Sequence, residues 1–463
     1  MKTNITNAQV MKKRKIIIGA VLVIALAVWV QSRWHAWFHN PEELPYTPSA
    51  VPCRVLLTFG DSDERSRNVS WQCGSEVRPS LLQLVNTADS DTVQVVATGE
   101  VFASRSGRAA YYVARLRQLK PDSHYAYRAV TDGKASKWYE FQTPREDSNS
   151  LSFLYVGDVQ DSIGGQANRY LREAVGRHPQ TELLVCGGDL TERPTEQCWA
   201  ETFRDIDSVS QAMPLLCVTG NHDYLKGIIT RLERRFPLVF SYFLDSQVGD
   251  NQVFTVRQGP AQFFLLDSNR EFFYLKSQRD WLREALKTST ARWKIVVLHH
   301  PLFSIKGSSN NLIQRWMFND LIEEYGVDLV LQGHEHAYAR MTRHDADGAA
   351  VTPVYTVSHC SPKCYRITFD DRFDKYGISS RYYQTVDISG DTLAMATYEV
   401  YHHTLYDSLQ VIKTAKSQVV VKDYGTTIPE HMQYTPDPDS KKDRAFAERI
   451  ADYVRKHPER MKR

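Results

Sequence analysis

Five apolar runs in this chain each end in a short cluster of carboxylate, carboxamide or imidazole side chains, most with a glycine beside them. Residues 151–156 lead into Gly157-Asp158-Val159-Gln160-Asp161, and residues 183–186 into Gly187-Gly188-Asp189-Leu190. Residues 214–218 precede Gly220-Asn221-His222-Asp223, residues 293–298 precede His299-His300-Pro301, and residues 327–331 precede Gly333-His334-Glu335-His336. Apolar runs of this length, bounded by turn residues, read as buried strands. Segments with helical periodicity over 168–177, 277–287 and 313–325 alternate with them, which predicts an α/β domain. Ligands of α/β sheets bind beyond the carboxyl ends of strands, so five such ends can share one rim. The donor types suit Fe, Zn or Mn. A single Gly-Asp is usually only a turn. His334 and His336 say more, because a period of two puts both rings on one side of an extended chain. The same chemistry behind every run is what implies a metal site.

The rest of the chain divides by pattern. Residues 1–15 are a basic N-terminal segment, and 16–37 an apolar stretch ending in Trp34 and Trp37. Lys12, Lys13, Arg14 and Lys15 in front of that stretch give the order of a signal peptide or a signal anchor. The small pair Ala25 and Ala27 lies inside the apolar run, a poor cleavage position, which favours an uncleaved anchor. The positive-inside rule then puts everything downstream outside the cytoplasm, membrane-anchored or, if cleaved, periplasmic or secreted. Residues 38–52 form a Pro-rich linker and 53–145 a series of short strands with turns, the pattern of a β-sandwich. Residues 149–412 hold the α/β pattern, and 413–463 form a C-terminal extension with a helix over 445–455. The net charge of +3 gives no electrostatic case for a nucleic-acid partner. Seven cysteines permit disulfides in an exported chain. Cys53 with Cys73, and Cys360 with Cys364, are pairs that could bridge, and spacing does not settle it.

The order Gly-Asp, Gly-Gly-Asp, Gly-Asn-His-Asp, His-His-Pro, Gly-His-Glu-His resembles the calcineurin-like metallophosphoesterases. The tail Gly333-His334-Glu335-His336-Ala337-Tyr338-Ala339-Arg340 is similar to the purple acid phosphatase branch. So is the sandwich in front, whose stretch 119–128 resembles the late strands of a fibronectin type III domain. The resemblance implies a four-layer catalytic domain, two mixed β-sheets flanked by helices, behind an all-β fibronectin type III-like sandwich. It implies two divalent or mixed-valence ions (Fe, Zn or Mn) bridged by Asp189. Asp158 and His336 would bind the first, and Asn221, His299 and His334 the second. His222 would act near the leaving group, with Asp223 orienting it, on a small-molecule phosphoester.

The chain departs from that branch in three places. Glu192 stands where purple acid phosphatases carry a Tyr ligand, so no tyrosinate colour is expected. Gln160 stands where the wider superfamily has a His; it either ligates the first metal or hydrogen-bonds a metal-bound water, and ligation is favoured because that metal otherwise has few protein ligands. Ser308-Ser309-Asn310-Asn311 replaces a His pair of the plant-type enzymes and leaves specificity open. His300 is expected to hold its loop, Asp267 to line the site or make a turn, and His359 to stand at the rim. The first expectation is an acid-phosphatase-like phosphomonoesterase. The alternatives are a phosphodiesterase or nucleotide hydrolase on the same site, or a non-catalytic surface-binding protein.

Overall fold

A computed structural model describes residues 7–61, 64–89, 92–146, 148–242, 248–249, 252–307, 310–414 and 418–462. Ser308 and Ser309, and the side chains of Lys12 and Lys13, lie outside the described set.

Two large sheets form the body. One has eleven strands and the other seven. In the larger, Ser150–Val156, Leu183–Cys186 and Leu215–Cys217 run parallel side by side. In the smaller, Ala261–Leu265, Trp293–Val297 and Leu329–Gln332 do the same. All of these except Ala261–Leu265 are the runs that read as continuous apolar segments, and the reason is two-sided burial. Phe153 and Phe263 meet edge to face between the sheets at 5.2 Å. Helices Ala167–Arg177 and Glu196–Asp205 belong to the layer on the larger sheet. Helices Phe272–Thr288, Leu312–Glu324 and Lys441–Lys456 pack on the smaller one through Leu282, Leu321 and Ile450. The result is the four-layer α/β sandwich, with antiparallel strands extending both sheets.

The sandwich of residues 53–145 does not stand apart. Its strand Cys53–Phe59 pairs in parallel with Leu215–Cys217, at Thr58 opposite Leu215. Four sandwich strands thereby become one end of the eleven-stranded sheet. Tyr127 donates to the carbonyl of Gln211 at 2.8 Å, and Gln211 donates to that of Val55 at 2.9 Å. The extension beyond residue 412 is likewise not separate, since Val419–Asp423 pairs with Leu405–Lys413 as the opposite edge of the same sheet. All seven thiols are free. Register explains the first candidate pair: Cys53 lies opposite Gln72, one position from Cys73.

At the N-terminus, helix Asn7–Phe38 contains a stretch, Arg14–Phe38, with no buried residue and an 18-residue window of mean hydropathy 2.1.

Candidate metal centre

The five clusters fold onto one rim because the carboxyl ends of both parallel triplets face the same cleft. Adjacent loops are tied by backbone bonds. Gln160 N–H donates to the Asp189 carbonyl at 3.1 Å, and Gly333 N–H to the His299 carbonyl at 3.0 Å. Asp158, Asp189, His334 and His336 all have left-handed backbone, with φ of 45°, 51°, 72° and 36°. Such residues cost on the order of 1–3 kcal/mol each, and they cluster where function requires them. Two neighbouring glycines are required sterically. A Cβ on Gly220 would lie 2.0 Å from Asp189 Oδ1, and one on Gly333 2.4 Å from Asp158 Oδ2.

One half of the cleft is formed by Asp189, Asn221, His299 and His334. His299 Nδ1 donates to the Gly187 carbonyl at 2.9 Å, which turns Nε2 inward. That Nε2 is 3.3 Å from Asp189 Oδ2 and 3.2 Å from Asn221 Oδ1. His334 Nδ1 is 2.8 Å from Asn221 Oδ1 and 3.3 Å from His299 Nε2. Burial pulls the His299 imidazolium down, but Asp189 outweighs it and pushes the group up to about 10. Burial, with His300 and His299 nearby, drives His334 far down, so it stays neutral. Burial raises Asp189, yet His299 and His222 outweigh that and hold it well below the usual carboxylate range. Ionised carboxylate and neutral imidazole are the forms that bind metal, so Asp189 and His334 are ready for an ion, while His299 would give up its Nε2 proton to one.

The other half is formed by Asp158, Gln160 and His336. Asp158 Oδ2 accepts the His334 N–H at 2.6 Å. Its Oδ1 lies 3.3 Å from His336 Nε2. His336 Nδ1 donates to the Lys363 carbonyl at 3.1 Å, so Nε2 offers a lone pair. In this rotamer the Gln160 amide nitrogen, 3.4 Å away, donates to that Nε2, and the side-chain oxygen points elsewhere. Among the described residues, Asp158 Oδ1 and Gln160 Oε1 are buried without a hydrogen-bond partner. Orphaned buried acceptors are rare and costly. Two of them beside an imidazole lone pair fit a cation.

His222 and Asp223 separate. The expected orienting contact between them does not form: as the third residue of the short turn, Asp223 folds back and its Oδ2 accepts the Gly220 N–H at 2.7 Å, capping the turn. His222 Nδ1 instead meets the Glu192 carbonyl, leaving Nε2 3.8 Å from Asp189 Oδ2. Burial, then neighbouring Asp189, raises the Asp223 carboxyl well above its usual range. Glu335 faces away from its flanking histidines, accepting from Ser304 Oγ and from the backbone N–H of Ile305 and Lys306. His300 holds its loop, sharing 3.0 Å bonds with Ser268, and its ring lies 4.3 Å from that of His334. Asp267 accepts from Tyr224 Oη and from the Asn269 N–H, and Asn269 in turn donates to the Thr219 carbonyl at 2.8 Å. That bracket positions the Asn221 turn. His359 is buried, with neither ring nitrogen partnered among the described residues and its ring 5.4 Å from His336.

Three residues at the mouth escape sequence reasoning. Lys363 pairs with Glu192 at 2.6 Å, Tyr365 stacks 4.3 Å from His336, and Lys306 sits 4.4 Å from the Tyr365 ring. Lys363 and Tyr365 lie in the loop after His359, where no strand-end pattern marks them; Lys306 lies just past the His-His-Pro turn without a motif of its own.

With this geometry in view, two family models match the chain: calcineurin-like phosphoesterase over residues 151–338, and the purple acid phosphatase N-terminal domain over 52–143. Purple acid phosphatase 17 of Arabidopsis thaliana is 26% identical over 47% of this chain and 70% of its own length. Phosphoenolpyruvate phosphatase of Allium cepa is 24% identical over 63% of each. A purple acid phosphatase from yellow lupin seeds shares the fold, with TM-score 0.69 at 14% identity over 80% of this chain and 75% of that one. The fold and cleft thus define a metal-dependent phosphoesterase, and residues 151–338 form a calcineurin-like phosphoesterase domain. Within that class it carries the N-terminal domain of the purple acid phosphatases and resembles their branch.

Proposed function

We propose that this chain is an exported, acid-phosphatase-like phosphomonoesterase with a dinuclear metal site. The observation that carries the reading is the cleft itself: ligand atoms of Asp189, His299 and His334 lie within 4.8 Å of one another, Asn221 bridges the two histidines, and Asp158, Gln160 and His336 lie beside them, two with orphaned buried oxygens. Asp158, Gln160 and His336 would hold one ion and Asn221, His299 and His334 the other, with Asp189 shared. Fe, Zn and Mn suit this donor set. When bound, the pair would supply charge neutralisation for the phosphoryl group and a more acidic water.

The chain's own groups account for the rest. Glu192 holds His222 by Nδ1, so in the imidazolium form the Nε2–H faces the cleft and can pass its proton to the departing oxygen. His299 and His336 each spend Nδ1 on a backbone carbonyl, which fixes their rings before substrate arrives. The exposed apolar helix at Arg14–Phe38 supports a membrane anchor with the catalytic domain outside.

The test is metal quantification on the purified protein beside parallel assays with a phosphomonoester and a phosphodiester. Two metals per chain with monoester turnover are expected. A metal-free, inactive protein would sink the enzyme reading, and a diester preference would move it to the phosphodiesterases.

A further inference from the structure

The chain leaves its apolar helix beside the catalytic rim. The helix ends at Phe38. Two residues on, Asn40 clamps Lys226 from both sides, its Nδ2 donating to the Lys226 carbonyl at 2.9 Å and its Oδ1 accepting the Lys226 N–H at 2.8 Å. Arg105 donates to the Pro41 carbonyl. The Glu43 carboxylate is buried, pairing with Arg235 at 2.5 Å and Arg105 at 3.0 Å and accepting the Glu196 N–H at 3.0 Å. Pro41 and Glu42 also line a cavity with Asp161, Ile163 and Glu192, the residue whose carbonyl holds His222.

These contacts fix distances. Two extended residues span at most about 7 Å, and the four from His222 to Lys226 at most about 14 Å. With the span of the Asn40–Lys226 clamp added, the catalytic histidine is within roughly 27 Å of the helix end. Trp34 and Trp37 near that end are the residues that favour the lipid–water boundary. Around the exit, three isoleucines point outward: Ile163, Ile228 and Ile229 are 69%, 94% and 68% exposed. Ile228 and Ile229 lie in the turn between the paired strands Tyr224–Leu225 and Arg231–Leu232, just after the Asn221-His222-Asp223 motif. Single exposed apolar residues need no explanation. Three of them beside a clamped membrane helix do.

We infer that this rim docks on the bilayer that holds the helix, and that the substrate is a lipid carrying a phosphomonoester in that bilayer. The inference rests on the phosphoesterase reading above. The lipid's chains stay in the membrane while its headgroup enters the cleft. Water adds to phosphorus, the bond to the lipid oxygen breaks, and that oxygen takes the proton. The lipid alcohol stays in the membrane and phosphate leaves to solvent.

The experiment uses the full chain in phosphatidylcholine vesicles, with phosphatidate in the same bilayer and p-nitrophenyl phosphate in solution. The double variant Ile228→Ser/Ile229→Ser should lose about tenfold in kcat/KM toward phosphatidate, since two apolar contacts with lipid are removed. Turnover of the soluble ester should stay within about twofold. A parallel fall in both rates, or turnover of the soluble ester with none of phosphatidate, would overturn the inference. A readout independent of catalysis separates the two readings. A fluorophore on I228C, with exposed Cys364 changed to Ser, should be quenched by nitroxide lipids, and one on K422C, at the far edge of the large sheet, should not. Quenching with neither ester hydrolysed would strike the enzyme reading and support the docking. An unquenched I228C label would strike the docking alone.

Discussion

The two halves of the cleft are held by opposite means. The Asp189 half is closed on itself, with Asn221, His299 and His334 all within 3.3 Å of a partner in the same half. The Asp158 half leaves one oxygen of Asp158 and one of Gln160 buried and unpaired. The first arrangement is partly stable with protons in place of metal. The second carries a desolvation cost of about 1–3 kcal/mol per orphaned group, which a bound cation would relieve. The lesson is that occupancy should matter more to the stability of the Asp158 half than to that of the Asp189 half.

The largest break in this comparison comes from the residue between the halves. Asp189→Ala should lower kcat/KM by about a thousandfold or more and empty both sites, measured by steady-state kinetics with metal analysis of the same sample. Retained metal would show that the halves do not share Asp189.

Next comes the support under His334 and His336. Four residues past His336, the buried Arg340 pairs with Asp407 at 2.7 Å, Asp423 at 2.7 Å and Asp374 at 3.1 Å. Arg340→Met should cost about 3–5 kcal/mol, because it strands buried carboxylates; chemical denaturation reads it directly. Burial raises the Asp407 carboxyl, but Arg340 outweighs that and holds it below its usual range. A depressed folded pKa stabilises above the unfolded pKa, and that stabilisation is lost as pH falls through the folded value. Acid unfolding should therefore begin at higher pH in the variant, and an unchanged acid transition would refute the assignment.

Gln160→Leu sharpens the asymmetry. It should weaken metal binding in the Asp158 half by about 10–100-fold while the Asp189 half keeps its ion. Titration with a metal-sensitive dye should show one weakened step of two. Equal weakening of both steps would erase the distinction between the halves.

The smallest effect belongs to the strap across the mouth. Glu192→Gln removes the ion pair with Lys363 and leaves the Glu192 backbone carbonyl on His222. Half-exposed pairs contribute about 0–1 kcal/mol, so activity should change by no more than about fivefold. A large loss would mean that the carboxylate acts in the reaction.

The sequence marked the candidate donors and hid most of what holds them. Asp158, Asp189, Asn221, His299, His334 and His336 were legible because each follows an apolar run, and buried parallel strands write themselves as such runs. The contact between Asp223 and His222 was misread, since adjacency in sequence says nothing about where a side chain points in a capped turn. Glu192 and Lys363 were illegible as partners, being 171 residues apart. The boundary drawn near residue 145 follows a real change of pattern, yet the Thr58–Leu215 pairing carries the sheet across it.

By itself, then, the sequence determined the α/β layers, the chemistry at five strand ends and an apolar N-terminal helix, because strand burial, donor type and hydropathy are local properties of the chain. Only the tertiary structure decided the tautomers of His299 and His336, the orphaned oxygens, the partner of His222 and the clamp between Asn40 and Lys226. Each of those depends on which distant backbone carbonyl or amide arrives beside a side chain, and only the completed packing of both sheets sets that.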